Sequence, residues 1–192
     1  MSECSHALNT GRPIKLVHRG FRQASLNGSP AECSRIALTQ WIKEPIDLVC
    51  SGINAGGNLG VDIYYSGTVA AAREAHILGI PAIAFSMVLK DGMAPRWDMA
   101  HKGVEFNLQT WCDQRCPREL WNINFPTELH EGNLAAQLCP LETHPLCMVY
   151  HEVEDGYQYT HHHYHQRLRR SGSDVDRCFE GETTLSKLKL FV

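Results

Sequence analysis

The sequence predicts an α/β protein built on a parallel sheet with helices against its faces, and three stretches carry that expectation. Ile46-Asp47-Leu48-Val49-Cys50 is a short apolar run between turn signals and reads as a strand buried on both faces. Residues 69–78 form an alanine-rich helix, and residues 82–86 read as a second buried strand. Strand, loop, helix, strand is a βαβ unit, whose crossover makes the two strands parallel.

Composition narrows the class. The 192 residues are 43% hydrophobic and 20% charged, enough apolar material for one domain over residues 1–192 and too much for a disordered chain. Eighteen Lys and Arg against 21 Asp and Glu leave a net charge of −3, which excludes the basic footprint of a nucleic-acid-duplex binder. The longest apolar stretch is broken by Arg73, Glu74 and His76, so it falls short of the ~18 residues of a membrane span. Met-Ser-Glu-Cys-Ser-His at the start lacks the features of a signal peptide, which predicts a cytoplasmic protein. The eight cysteines fit a reducing compartment, with Cys33 and Cys50 read as small hydrophobes inside buried elements. Cys112 and Cys116 stand near each other, but two ligands do not make a tetrahedral zinc site.

Each remaining element has its own signal. Residues 8–17 read as loop running into a short strand, and residues 21–26 as a second strand closed by Asn27-Gly28. Ser29-Pro30-Ala31-Glu32 starts a helix with a cap, a first-turn proline and a capping-box glutamate, and Glu44-Pro45 stops it. Gly79 and Pro81 close the alanine-rich helix. Residues 99–112 suit a helix, with Val104, Leu108 and Trp111 on one side. Trp121-Asn122-Ile123-Asn124-Phe125-Pro126 alternates and ends at proline, which suits a strand. Residues 149–164 suit an extended hairpin or arm, and residues 183–190 a final strand.

The chemistry concentrates between Ser51 and Thr68. Four glycines in ten residues let backbone N–H groups approach a ligand, and the helix start at Ser66-Gly67-Thr68 offers unpaired N–H groups and hydroxyls to an anion. This falls at the carboxyl end of a parallel strand, where open α/β sheets bind ligands. Asn54 and Asn58 place amide groups in the same space, an oxygen that suits a hard cation and a nitrogen that suits a phosphate. The same glycines and asparagines also suit a plain turn. Neither GxGxxG nor GxxxxGK[ST] is present, so no generic nucleotide fingerprint marks the loop.

The string Asp47-Leu48-Val49-Cys50-Ser51-Gly52-Ile53-Asn54-Ala55-Gly56-Gly57-Asn58-Leu59-Gly60, with Tyr65-Ser66-Gly67-Thr68-Val69-Ala70-Ala71-Ala72-Arg73-Glu74 and Leu78-Gly79-Ile80-Pro81-Ala82-Ile83-Ala84, closely resembles the SurE family. Ser5-His6-Ala7-Leu8, Gly28-Ser29-Pro30-Ala31-Glu32-Cys33, Trp121-Asn122-Ile123-Asn124-Phe125-Pro126 and Gly172-Ser173-Asp174-Val175-Asp176 are similar to it in the same order, so the resemblance runs over residues 2–190. It implies a three-layer α/β/α, Rossmann-like, mostly parallel sheet with a C-terminal extended arm or hairpin. It also implies a metal-dependent phosphomonoesterase that hydrolyses nucleoside 5′- or 3′-monophosphates, with magnesium or manganese polarising the phosphoryl oxygens.

Carried over residue by residue, the resemblance gives Asn58, Ser66, Gly67 and Thr68 the phosphate, with Asp62 in the same loop, and gives Asn54 and Ser2 the metal and the catalytic role. The family pattern opens with a strand ending in Thr-Asn-Asp-Asp-Gly, a helix and a second strand. This chain starts after that segment and contains no Asp-Asp pair, so the expectation is an N-terminally truncated family domain. Two neutral ligands hold magnesium poorly, since such sites rely on one or two carboxylates. The alternative reading is therefore a catalytically dead member that keeps only an anion- or nucleotide-binding loop.

Three other features are weighed beside it. His161-His162-His163-Tyr164-His165 with Arg167, Arg169 and Arg170 suits a metal or phosphate patch, or the exposed arm through which the family forms homodimers or homotetramers. Asp62 suits a water- or backbone-orienting role or a simple turn, and His6 suits a residue behind the metal ligands or a surface histidine.

Overall fold

The computed structural model describes residues 5–90, 93–113, 118–146, 148–160 and 164–190. An antiparallel hairpin comes first, β1 (Leu16–Gly20) and β2 (Gln23–Leu26), with Leu16 opposite Leu26. Both strands start later than the sequence suggests, because Phe21 and Arg22 form the turn and Arg22 takes a left-handed φ of 55°. Helix α1 (Pro30–Ile36) begins as expected. The Glu32 N–H donates to Ser29 Oγ at 3.2 Å, and the Ser29 N–H donates to Glu32 Oε2 at 2.6 Å. This reciprocal pairing satisfies two donors that a helix start leaves open. Beyond it Ala37–Trp41 widens into a π-helical turn, with the Ile42 N–H on Ala37 O at 2.8 Å.

The central sheet has the order β3-β4-β5-β9-β6 among the described residues. Its strands are β3 (Val49–Ala55), β4 (Ala82–Met87), β5 (Leu120–Phe125), β6 (Gln137–Leu138) and β9 (Thr184–Leu188). The β3–β4, β4–β5 and β6–β9 pairs are parallel and the β5–β9 pair is antiparallel. Helix α2 (Gly67–Ile77) connects β3 to β4 as the βαβ pattern predicts, and α3 (Trp97–Asp113) connects β4 to β5. The chain also forms a separate hairpin, β7 (Val149–Val153) and β8 (Gly156–Thr160), and the short helix α4 (Asp174–Phe179).

The alternation of β4 and β5 makes the layers. Ile83, Phe85, Met87, Ile123 and Phe125 pack against Met99, Ala100 and Trp111 of α3 on one face. Ala82, Ala84 and Leu120 pack against Val69, Ala72 and Ala75 of α2 on the other. Each large side chain so buried contributes about 1.5–3 kcal/mol. Helix α3 lies close on its sheet face because residue 103 is glycine: a Cβ there would sit 2.6 Å from the Phe125 ring. The three-layer α/β/α expectation is met.

Strand β3 corrects two expectations. It begins at Val49 and runs through Ser51 to Ala55, residues that the sequence assigned to the loop. It is also the edge strand among the described residues, paired on one side only with β4. Its residues are half-buried or exposed, and Cys50 is exposed, so neither is the strand buried on both faces nor is Cys50 a core side chain. Cys33 is half-buried.

Two buried carboxylates tie the segment after β6 to the rest. Glu142 accepts from the backbone N–H groups of Thr143 (2.7 Å), His144 (3.0 Å) and Arg170. Asp174 accepts from the N–H groups of Gly60 (2.7 Å), Glu142 (2.7 Å) and Val175 (2.9 Å). Burial pushes the Glu142 carboxyl up, but these backbone donors outweigh it and hold the group well below the ordinary carboxylate range. A depressed folded value contributes stability that is present above the unfolded value of about 4.3 and lost as the pH falls through the folded one. In thermal melts between about pH 6 and pH 3, the wild type should therefore lose stability more steeply than Glu142→Gln. Parallel slopes for the two proteins would remove Glu142 as a source of acid sensitivity.

Candidate active site

The loop from Gly56 to Ser66 lies at the carboxyl ends of β3 and β4 and is held mainly by side chains far away in the sequence. Its centre is Asn58, which is buried. The Asn58 N–H donates to Asn124 Oδ1 at 2.8 Å, and its carbonyl accepts from Asn122 Nδ2 at 2.8 Å and Asn124 Nδ2 at 3.2 Å. Its own Nδ2 donates to Ser86 Oγ at 2.6 Å. The register pairs Ser86 with Asn124 and Ala84 with Asn122, so these polar residues form a patch on the α2 face of the sheet. The alternation of Trp121-Asn122-Ile123-Asn124-Phe125 announced the strand. That the asparagines clasp a glycine-rich loop did not appear in it.

Asp62 is the second anchor. Its Oδ2 accepts from Arg167 Nη1 (2.8 Å), Tyr164 Oη (2.9 Å) and the Leu59 N–H (3.3 Å). The Arg167 side chain is only 1% exposed, so this is a buried ion pair. Burial first, and the Asp62 charge second, raise the Tyr164 phenol well above its usual range, so it stays protonated and donates. Asp62 Oδ1 is buried without a hydrogen-bond partner among the described residues. The Leu59 N–H bond is local to the turn, while the two shorter bonds tie that turn to the distant side chains of Tyr164 and Arg167. Gly60 follows the same logic, since it takes φ 54° and a Cβ there would lie 2.8 Å from Glu142 O. Only glycine meets both conditions without cost.

Ser66 caps α2, its Oγ accepting the Val69 N–H at 3.0 Å. A hydroxyl that accepts from the helix still has its proton to donate outward. Gly67 and Thr68 form the first turn, where backbone N–H groups lack partners within the helix and favour an anion. Asn54, one residue before the end of β3, donates from Nδ2 to Gly56 O at 2.9 Å. Asn54, Asn58, Asp62 and Ser66 line one cleft of about 410 Å³, together with Tyr65, Tyr164 and residues of the β7–β8 hairpin. That volume is in the range of about 300–1,000 Å³ common for small-ligand sites.

Other expected residues fall elsewhere. Ser2 and His161 to His163 lie outside the described residues, as does Cys116. His6 does not stand free: its Nε2 is 2.7 Å from Glu74 Oε2, and Arg35 pairs with the same buried carboxylate, so His6 helps join the N-terminal segment, α1 and α2. The sequence reading missed Asn122, Asn124 and Ser86 as parts of the site, and weighed Arg167 only within a histidine–arginine patch of its own. The only advance signal was polarity at positions of a strand that should face a packed layer.

Comparison with known proteins identifies the lineage. The family model described as "Survival protein SurE" matches residues 1–145. A Nostoc sp. protein named "Putative 5'-nucleotidase" is 41% identical over 192 residues, covering 98% of this chain and 84% of its own. The 5'-nucleotidase SurE of Solidesulfovibrio magneticus is 40% identical over 145 residues, covering 72% of this chain and 55% of its own. The crystal structure of SurE protein from Aquifex aeolicus superposes with a TM-score of 0.83 at 26% identity, covering 100% of this chain and 79% of that one. The hydrolase class expected from the sequence is the class these nucleotidases bear by name. A family match over three quarters of the chain, and a common fold over all of it, place this protein in the SurE family.

Proposed function

We propose that the chain is a phosphomonoesterase of nucleoside 5′- or 3′-monophosphates, acting in the cytoplasm as a homodimer or homotetramer through its C-terminal arm. The observation that carries the reading is the clasped loop beside a capped helix start. Asn58, Ser66, Gly67 and Thr68 cradle the phosphate: the helix start offers its N–H groups, and Asn58, whose N–H goes to Asn124 and one Nδ2 hydrogen to Ser86, offers the other Nδ2 hydrogen. Asp62 keeps the loop in that shape through Arg167 and Tyr164. The reaction joins a water oxygen to phosphorus, breaks the ester P–O bond and passes a proton to the departing nucleoside oxygen.

Magnesium or manganese held by Asn54 and Ser2 is the cofactor implied by the family resemblance, and it would supply charge stabilisation at the phosphate. The described donors do not fit such a cation on their own. The one carboxylate of the cleft, Asp62, faces Arg167 and Tyr164, and no group of three or more His, Cys, Asp or Glu converges among the described residues. The second reading, an anion- or nucleotide-binding module without turnover, uses the same loop and helix start and needs no cation.

Phosphate release from AMP and from p-nitrophenyl phosphate, with manganese and with EDTA, separates the two. The esterase reading expects metal-dependent release. It also expects a loss of roughly ten- to hundredfold in kcat/KM for Ser66→Ala, since a hydrogen bond to a charged group contributes about 1.5–3 kcal/mol. Phosphate binding that survives EDTA, with no release under any condition, would establish the binding module instead.

A further inference from the structure

We infer that the tyrosine pair of the β7–β8 hairpin, Tyr150 and Tyr159, is the nucleobase platform of this cleft, so that the hairpin selects nucleotides over other phosphomonoesters. The inference rests on the reading that the cleft takes a phosphate, and adds what lies at its other end. Asn54, Asn58 and Ser66 give the cleft a polar end, while Met148, Tyr150 and Tyr159 give it an aromatic and apolar wall. A ligand that uses both needs an anion at one end and a flat apolar group at the other.

The wall is built by the ladder. Tyr150 lies directly opposite Tyr159 in the antiparallel register, so both rings project from one face of the hairpin. Their centroids are 5.6 Å apart at 48°, and the Tyr150 hydroxyl contacts the Met148 sulfur at 3.7 Å. Tyr150 is nevertheless 54% exposed and Met148 37% exposed. A cross-strand pair of this kind stabilises a hairpin only modestly, and the exposed part of the Tyr150 ring is accessible to a ligand in the cleft. Stacking of a base on an aromatic side chain is tolerant of base identity and contributes about 5- to 150-fold in affinity.

Calorimetric titration with AMP and with ribose 5-phosphate, in EDTA so that turnover does not intervene, tests the platform. The wild type should bind AMP about 5- to 150-fold more tightly than ribose 5-phosphate. Tyr150→Ala should bring AMP down to the affinity of ribose 5-phosphate and leave the sugar phosphate unchanged, while Tyr150→Phe, which keeps the ring, should retain the preference. Tyr159→Ala, with circular dichroism to show that the fold is intact, should act in the same direction. Equal affinities in the wild type, an equal loss for both ligands in Tyr150→Ala, or no binding of AMP would each overturn the inference. Because binding is read rather than phosphate release, an inactive protein still gives an answer. The esterase proposal fails on release, and this one fails on discrimination of the base.

Discussion

Replacing Asp62 with alanine is expected to destabilise the protein by about 3–5 kcal/mol, the usual effect of removing one partner of a buried ion pair. Arg167, its side chain only 1% exposed, would lose the carboxylate it pairs with and keep only the more distant charge of Asp174, and the Tyr164 hydroxyl and Leu59 N–H would lose an acceptor. For a chain of this length the melting temperature should fall by roughly 6–20 °C. Thermal or urea unfolding of Asp62→Ala measures it. A double variant, Asp62→Asn with Arg167→Met, removes both charges and should recover part of the loss, because most of the single-variant cost is the stranded guanidinium. If Asp62→Ala melted within ~1 kcal/mol of the wild type, the ion pair would not be holding the loop.

The second large effect belongs to Asn124→Leu, which keeps the branched heavy-atom skeleton but is bulkier and carries no polar atom. Asn124 bonds both the backbone N–H and the carbonyl of Asn58, and Asn58, Asn122 and Asn124 are all buried. Leucine would strand the Asn58 N–H away from water at a cost of about 1–3 kcal/mol, while its carbonyl keeps Asn122 as a donor. The functional loss should exceed the thermodynamic one. A phosphate-binding loop displaced by about 1 Å costs on the order of 100-fold in rate, so kcat/KM for AMP should fall by about that factor. Asn122→Leu leaves the bonds from Asn124 in place and should cost less in both assays. Activity and stability falling in the same small proportion would show that Asn124 serves folding alone.

These two clusters mark the limit of what the chain reveals when read one residue after another. The signals that held are local. The Ser29–Glu32 box lies within one helical turn, as does the bond between the Ser66 hydroxyl and Val69, and Gly79 takes φ 83° where the helix must stop. The β4 and β5 strands were marked by apolar content and alternation, and the β7–β8 hairpin by its aromatic run. The boundaries that slipped are those where a partner decides. Whether β3 is interior or edge depends on which strands lie beside it, and its own residues suit both. β6 has two residues and exists only as a neighbour of β9, while α4 has six and was legible only as a family-like motif.

The sequence by itself determined the α/β class, the order of the main elements, the position of the glycine-rich loop and the family resemblance. The first three are written in capping, periodicity and glycine placement within a few residues, and the resemblance in the residue strings themselves. Only the tertiary structure decided what holds that loop and what faces it. Asp62 meets Arg167 across 105 positions, Asn58 meets Asn124 across 66, and Gly60 meets Asp174 across 114. A buried polar group must find a partner, but nothing in its neighbours along the chain says which. That choice is made when the sheet and its connections bring distant side chains together out of water.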